Sequence, residues 1–155
     1  MALSVGTEAP NFTLLDTALA PVTLTNYRGR RVLLAFFPAA FTGVCQAELC
    51  TFRDSMQRLN GAGVQVLAIS ADIPFANGGF AQAHNLEFPI LSDWTLETIK
   101  AYDVLFANFA GIQGLLRSHR AVFVLNSAGI IEYVQVTEHP GVEPDYDAIF
   151  AFLEA

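Results

Sequence analysis

The amino-acid sequence predicts an α/β protein with a central mixed β-sheet flanked by helices, and three observations carry that prediction. Residues 31–37 and 64–70 are apolar runs rich in β-branched and aromatic side chains, as strands buried on both faces are. Between them Leu49, Phe52, Met56 and Leu59 recur at three- and four-residue spacing, so a helix joins the strands, which should pair in parallel. Residues 121–125 and 130–136 flank Asn126-Ser127-Ala128-Gly129 and read as a hairpin.

Taken in order, residues 12–16 and 22–24 read as short strands around a turn at Leu19-Ala20-Pro21. A polar connector leads into the strand at 31–37. The helix then runs from Val44 to Asn60 and ends at Gly61-Ala62-Gly63, a carboxyl cap. After the strand at 64–70, Pro74 and Asn77-Gly78-Gly79 punctuate a loop before a short helix from Phe80 to His84. A strand near 89–91 follows, then a helix over 95–102 that Ser92 or Asp93 can cap. Residues 103–118 are apolar, but Gly111 and Gly114 interrupt any helix. Pro144 can start a last helix through Tyr146, Ile149, Phe150 and Leu153.

Composition narrows the function. At 155 residues the chain suits a single domain, 1–155, able to bury a core without disulfide staples. It is 53% hydrophobic and only 15% charged, a balance that points to an apolar surface used for self-association. A net charge of −7, with Lys100 the one lysine among eight basic residues, argues against nucleic acid or an anionic membrane as partner. No apolar run reaches a membrane-spanning length, and the start lacks the features of a signal peptide, so the expected location is the cytoplasm. The three histidines are scattered and no metal-ligand spacing occurs; neither a metal nor another cofactor is expected.

The chemistry converges on residues 36–50. Pro38 ends the strand and Thr42-Gly43 turn into the helix, which places Cys45 in the helix's first turn. The first N–H groups of a helix lack partners and the macrodipole adds about half a positive charge, so both favour a thiolate. An ordinary thiol is only about 3% ionised at pH 7, so complete ionisation gains about thirtyfold. Faster chemistry requires transition-state stabilisation as well. A buried structural thiol is the bland alternative.

Pro38, Thr42 and Cys45 fill the spacing P-x-x-x-T-x-x-C, and with Phe36-Phe37 they resemble the active-site signature of the peroxiredoxins. Val5-Gly6-Thr7-Glu8-Ala9-Pro10-Asn11-Phe12 resembles that family's opening, Phe88-Pro89-Ile90-Leu91-Ser92-Asp93 its central segment, and Arg120-Ala121-Val122-Phe123-Val124-Leu125 the strand that begins with its active-site arginine. The resemblance implies a thioredoxin-like fold and a thiol peroxidase acting on hydrogen peroxide and organic hydroperoxides. In it Cys45 is the peroxidatic thiolate, and the Thr42 hydroxyl, the Cys45 N–H and Arg120 polarise the O–O bond. Pro38 covers the sulfur and Glu48 orients the arginine. It also implies a thiol reductant such as thioredoxin or glutaredoxin and, together with the apolar composition, a homodimer. Blander roles exist for several of these residues: a helix cap for Thr42, a solvated charge for Arg120, a first-turn carboxylate for Glu48. Arg53 suits pairing with Glu48 or Asp54, His119 a structural role, and Trp94 packing.

Cys50 decides the subtype. On a helical wheel it lies about 140° from Cys45, among Gln46, Arg53, Asp54 and Gln57. The helical Cα separation is about 8.5 Å, beyond the roughly 7 Å that a disulfide spans, so a Cys45–Cys50 bond needs the helix to unwind. The spacing resembles the bacterioferritin comigratory group, in which the second cysteine resolves the sulfenic acid. The residues around Cys45 also resemble the one-cysteine group typified by alkyl hydroperoxide reductase E, whose oxidised cysteine needs an external thiol. A redox sensor or relay using the same cysteine is a further reading. A disulfide reductase of the thioredoxin type is disfavoured, since C-x-x-C is absent and no proline lies between Pro89 and Pro140, where that family's cis-proline should precede the hairpin. Residues 103–118, with Phe41 and Phe80, suit a substrate mouth or a dimer interface.

Overall fold

In the computed structural model, which describes residues 2–155, the two apolar runs form the middle of a mixed sheet. The elements are β1 (Thr13–Leu15), β2 (Pro21–Thr23), β3 (Arg31–Phe36), α1 (Gly43–Asp54), α2 (Met56–Gly61), β4 (Val64–Ser70), α3 (Pro74–His84), β5 (Ile90–Ser92), α4 (Glu97–Ala101), β6 (Leu105–Phe106), β7 (Arg117–Ser118), β8 (Ala121–Leu125), β9 (Ile131–Val136) and α5 (Tyr146–Glu154). Seven strands pair in the order β2-β1-β5-β4-β3-β8-β9, while β6 and β7 make a separate hairpin. β3 pairs with β4 in parallel and with β8 antiparallel, as the βαβ unit and the hairpin require. The result is the thioredoxin-like arrangement of a mixed sheet with helices on both sides.

The central strand shows why it must be buried twice over. Leu33, Ala35 and Phe37 enter the core layer shared with Cys45, Leu49 and Phe52 of α1 and with Ile149 and Phe150 of α5. Val32, Leu34 and Phe36 enter the opposite layer, with Ile99 of α4 and Tyr102. The period of two thus feeds both layers, leaving no polar face.

Several elements differ from expectation. The helix from Val44 to Asn60 is two helices, broken at Ser55, whose N–H is shared between the Thr51 and Phe52 carbonyls. Gly63, at φ +71°, closes the second with its N–H on the Asn60 carbonyl. The expected loop at 74–79 is helical: Pro74 opens α3, and Gly78 and Gly79 lie inside it. Tertiary contacts override their poor propensity there. A methyl group on Gly79 would touch the Phe41 ring at 3.7 Å, and one on Gly78 would touch Thr17 at 3.6 Å, so the helix packs close on both sides. The helix expected over 95–102 is shorter, because Leu96 takes a left-handed φ of 66°. Asp93 caps it as expected, accepting from the N–H groups of Thr98 and Ile99. Trp94 packs at the surface rather than in the core: it is half exposed and lines an apolar groove with Leu19, Ile73 and Phe75. Phe80 belongs to the core, stacked edge-on against Phe41.

Candidate active site

Strand register brings the site together. Phe36 at the end of β3 pairs with Ala121 at the start of β8, so Arg120 meets the chain just where it leaves β3 for α1. Pro38, buried, ends β3's run. The connecting loop is strained, since Phe41 adopts a left-handed φ of 63°, an uncommon state for a bulky residue. Its ring rests on Phe80, with centroids 5.3 Å apart, which holds the backbone there.

Thr42 is the N-cap residue of α1 by backbone position, yet its side chain caps nothing. The hydroxyl instead donates to the Ala39 carbonyl at 2.7 Å. Its oxygen lone pairs stay free to accept, and rotation of the hydroxyl frees the proton to donate. Gly43 and Val44 follow, and Cys45 is the third residue of the helix, completely buried. Its N–H is among those a helix start leaves without an intrahelical carbonyl.

Arg120 is 2% exposed and every contact of its guanidinium is directed. Nη2 donates to Cys45 Sγ at 3.1 Å, and Nη1 donates to Glu48 Oε1 at 3.0 Å. Nε and Nη2 both donate to the Pro140 carbonyl, at 3.0 and 2.7 Å. A guanidinium fixed on three sides cannot swing to solvent, so its donor stays directed at the sulfur. Glu48, one turn after Cys45, supplies the counter-charge. Burial pushes its carboxyl up from the ordinary 4.5 to about 7, against the opposing pull of Arg120. Its second oxygen, Oε2, is buried and meets no donor.

Of the six residues that the sequence names, the fold joins Cys45, Glu48 and Arg120 directly, with Thr42 at the start of the same helix, Pro38 in the loop before it and Cys50 further along it. Sequence reasoning missed Pro140, whose contribution is a backbone carbonyl that no side-chain pattern announces. Arg53 pairs with Asp54 and donates to the His84 carbonyl rather than reaching Glu48. His119 stacks edge-on against Phe106, and burial lowers its pKa. Cys50 is half-buried, and both cysteines are free.

A cavity of about 480 Å³ opens beside Arg120, the residue that touches the sulfur, and is lined by Thr42 and Val44, by Phe106, Phe109 and Ala110, and by His139 and Pro140. Most of these residues are apolar, and Thr42, Asn108, Arg120 and His139 supply its polar groups. Part of the 103–118 segment, from Phe106 to Gly111, thus forms one wall of this cavity. Among the described residues no cluster of His, Cys, Asp or Glu is placed to hold a metal. No helix among them is long and apolar enough to cross a membrane.

Residues 5–134 match the family model described as the AhpC/TSA family. The chain belongs to that family. It is therefore a peroxiredoxin, a thiol peroxidase. Among its relatives, alkyl hydroperoxide reductase E of Mycobacterium tuberculosis is 39% identical over 141 residues, covering 90% of this chain and 88% of that one. Chloroplastic peroxiredoxin Q of Triticum aestivum is 34% identical over 132 residues, covering 85% of this chain and 58% of that one. Among solved structures, the peroxidoxin BcpB of Mycobacterium tuberculosis superposes with a TM-score of 0.86 at 25% identity, covering 97% of this chain and 96% of that one.

Proposed function

We propose that this peroxiredoxin reduces hydrogen peroxide and organic hydroperoxides through Cys45. The carrying observation is the buried 3.1 Å contact between Arg120 Nη2 and Cys45 Sγ at a helix start. The thiolate attacks the terminal peroxide oxygen, forming an S–O bond as the O–O bond breaks. The sulfur is oxidised to sulfenic acid, and the departing oxygen takes a proton to leave as water or an alcohol. Charge moves from sulfur to that oxygen, and the Arg120 guanidinium, the Thr42 hydroxyl and the Cys45 N–H are fixed donors for it. Pro38 keeps water from the sulfur. The apolar cavity suits the carbon body of an organic hydroperoxide, a far larger guest than hydrogen peroxide.

Cys50 then resolves the sulfenic acid. Its thiolate attacks the Cys45 sulfur, hydroxide leaves and is protonated to water, and a disulfide forms. A thioredoxin, a glutaredoxin or a similar dithiol reduces that bond. α1 must unwind for this, because helical geometry holds the cysteines too far apart. The second reading is a one-cysteine cycle completed by an external thiol. It draws support from the placement of Cys50 within α1 and from the 39% identity to alkyl hydroperoxide reductase E. A sensor or relay would also oxidise at Cys45, but would stop after one equivalent of peroxide. The chain acts as a single domain in the cytoplasm and forms a homodimer, for which exposed Leu19, Ile73, Phe75 and Trp94 offer an apolar surface.

The test compares peroxide consumption by wild type, Cys45→Ser and Cys50→Ser with several reductants. Cys45→Ser should abolish turnover with all of them. Loss of only thioredoxin-linked turnover in Cys50→Ser supports resolution by Cys50, whereas unaltered turnover favours the one-cysteine cycle.

A further inference from the structure

Two of the chain segments that line the cavity next to Arg120 are the loop ending in Thr42 and the β6–β7 excursion that carries Phe106 and Phe109. They are distant in sequence, yet one carboxylate touches both. Asp72, just after β4, accepts the backbone N–H of Ala40 on Oδ2 at 2.8 Å. Its Oδ1 accepts Arg117 Nη1, also at 2.8 Å, with both side chains largely buried. Arg117 in turn is the strand partner of Phe106. On the other side, Ala39, the neighbour of Ala40, holds the Thr42 hydroxyl through its carbonyl.

Asp72 is itself braced. Ser70 Oγ donates to Asp72 Oδ2 at 3.0 Å, and the Asp72 N–H returns a bond to Ser70 Oγ. Buried Asn77 of α3 links Ser70 to Ser92, at 3.0 and 2.9 Å. The carboxylate is thus anchored to β4, β5 and α3, elements of the rigid sheet, while it reaches out to two loops. A charge-assisted pair with an arginine, together with a bond to a backbone N–H, fixes both distance and direction. Neither Asp72 nor Arg117 touches the sulfur or its partners, so their effect on the reaction passes through the segments they hold.

We propose that Asp72 and Arg117 are positioning residues that set the separation between the Thr42 loop and the Phe106 wall, and so decide how well a bulky hydroperoxide is held against Cys45. The inference rests on the peroxidase reading above. Hydrogen peroxide touches few atoms and depends little on the wall. An organic hydroperoxide is aligned by both, and misplacement by about 1 Å can cost on the order of a hundredfold in rate.

The experiment measures kcat/KM for cumene hydroperoxide and for hydrogen peroxide in wild type, Asp72→Asn, Arg117→Gln and Arg117→Lys. The expected result is a fall in the cumene-to-hydrogen-peroxide ratio of about tenfold in Asp72→Asn and Arg117→Gln, carried largely by KM for the organic substrate. Arg117→Lys, which can still donate to Asp72, should restore most of the ratio. Because Arg117→Gln leaves the Asp72–Ala40 bond in place, it keeps the test open should Asp72→Asn fold poorly. An active wild type with an unmoved ratio in both variants, even at lowered melting temperature, overturns the inference alone. A wild type inert toward both peroxides overturns the peroxidase reading and the inference with it.

Discussion

Arg120 donates through Nη1 to Glu48 and through Nη2 to Cys45, so one guanidinium separates a buried carboxylate from a buried sulfur. The two acceptors share one positive charge in a buried site of low dielectric. Removing the arginine should therefore do two things at once. Arg120→Met strands Glu48 without its cation, so the carboxyl holds its proton more firmly, and the lost ion pair lowers stability while the lost donor costs about a hundredfold or more in the peroxide step. Chemical denaturation and stopped-flow oxidation measure the two losses separately. Arg120→Lys should keep the charge but recover only part of the rate, since an ammonium cannot reach Glu48, Cys45 and the Pro140 carbonyl together.

The raised carboxyl of Glu48 has a definite consequence for stability. The folded protein holds this proton up to about pH 7, whereas the unfolded chain releases it near 4.5. Between those values the native state binds more protons, so stability falls as pH rises through the window. Its contribution is fully present below 4.5 and gone above about 7. Glu48→Gln keeps an acceptor for Arg120 and should flatten that slope. Urea denaturation at intervals from pH 4.5 to 8 checks this, and parallel slopes in the two proteins would contradict it.

Gly43 tests whether α1 has to open. A methyl group there would meet no atom within 4 Å, and the residue is the first of the helix. Gly43→Ala should favour the helix by up to about 1 kcal/mol, and so slow Cys45–Cys50 disulfide formation up to about fivefold. The initial reaction with hydrogen peroxide should change much less. Rapid quench followed by mass spectrometry reads both steps; an unchanged rate of disulfide formation would mean that resolution does not proceed through unwinding.

The glycines inside α3 make a simpler prediction. Methyl groups at Gly78 and Gly79 would sit at ordinary contact distances of 3.6 and 3.7 Å. Gly78→Ala should then stabilise the protein by about 0.5–1 kcal/mol by reducing unfolded-state entropy, visible as a raised melting temperature. Had this stretch been the loop that its Asn-Gly-Gly suggests, no such gain would be expected.

Legibility followed physical locality. β3, β4 and the β8–β9 hairpin were readable because strands buried on both faces must be continuous apolar runs, and because Asn126 and Gly129 mark a turn. The helical position of Cys45 was readable from Pro38 and the Thr42-Gly43 turn alone. The identity of Arg120 came only through resemblance, since nothing local ties it to a cysteine 75 residues earlier; the β3–β8 register supplies that link. α3 was misread because packing against Thr17 and Phe41 overrides glycine propensity. The left-handed Phe41, the Pro140 carbonyl and the Asp72–Arg117 pair were hidden for the same reason: each acts through backbone geometry or distant partners.

The most direct measurement is the rate at which Cys45 is oxidised by hydrogen peroxide under single turnover, followed by trapping of the sulfenic acid in wild type, Cys45→Ser and Arg120→Met. The account predicts oxidation confined to Cys45, absent in Cys45→Ser and slowed about a hundredfold or more in Arg120→Met. Equal rates in wild type and Arg120→Met, or first oxidation at Cys50, would contradict it.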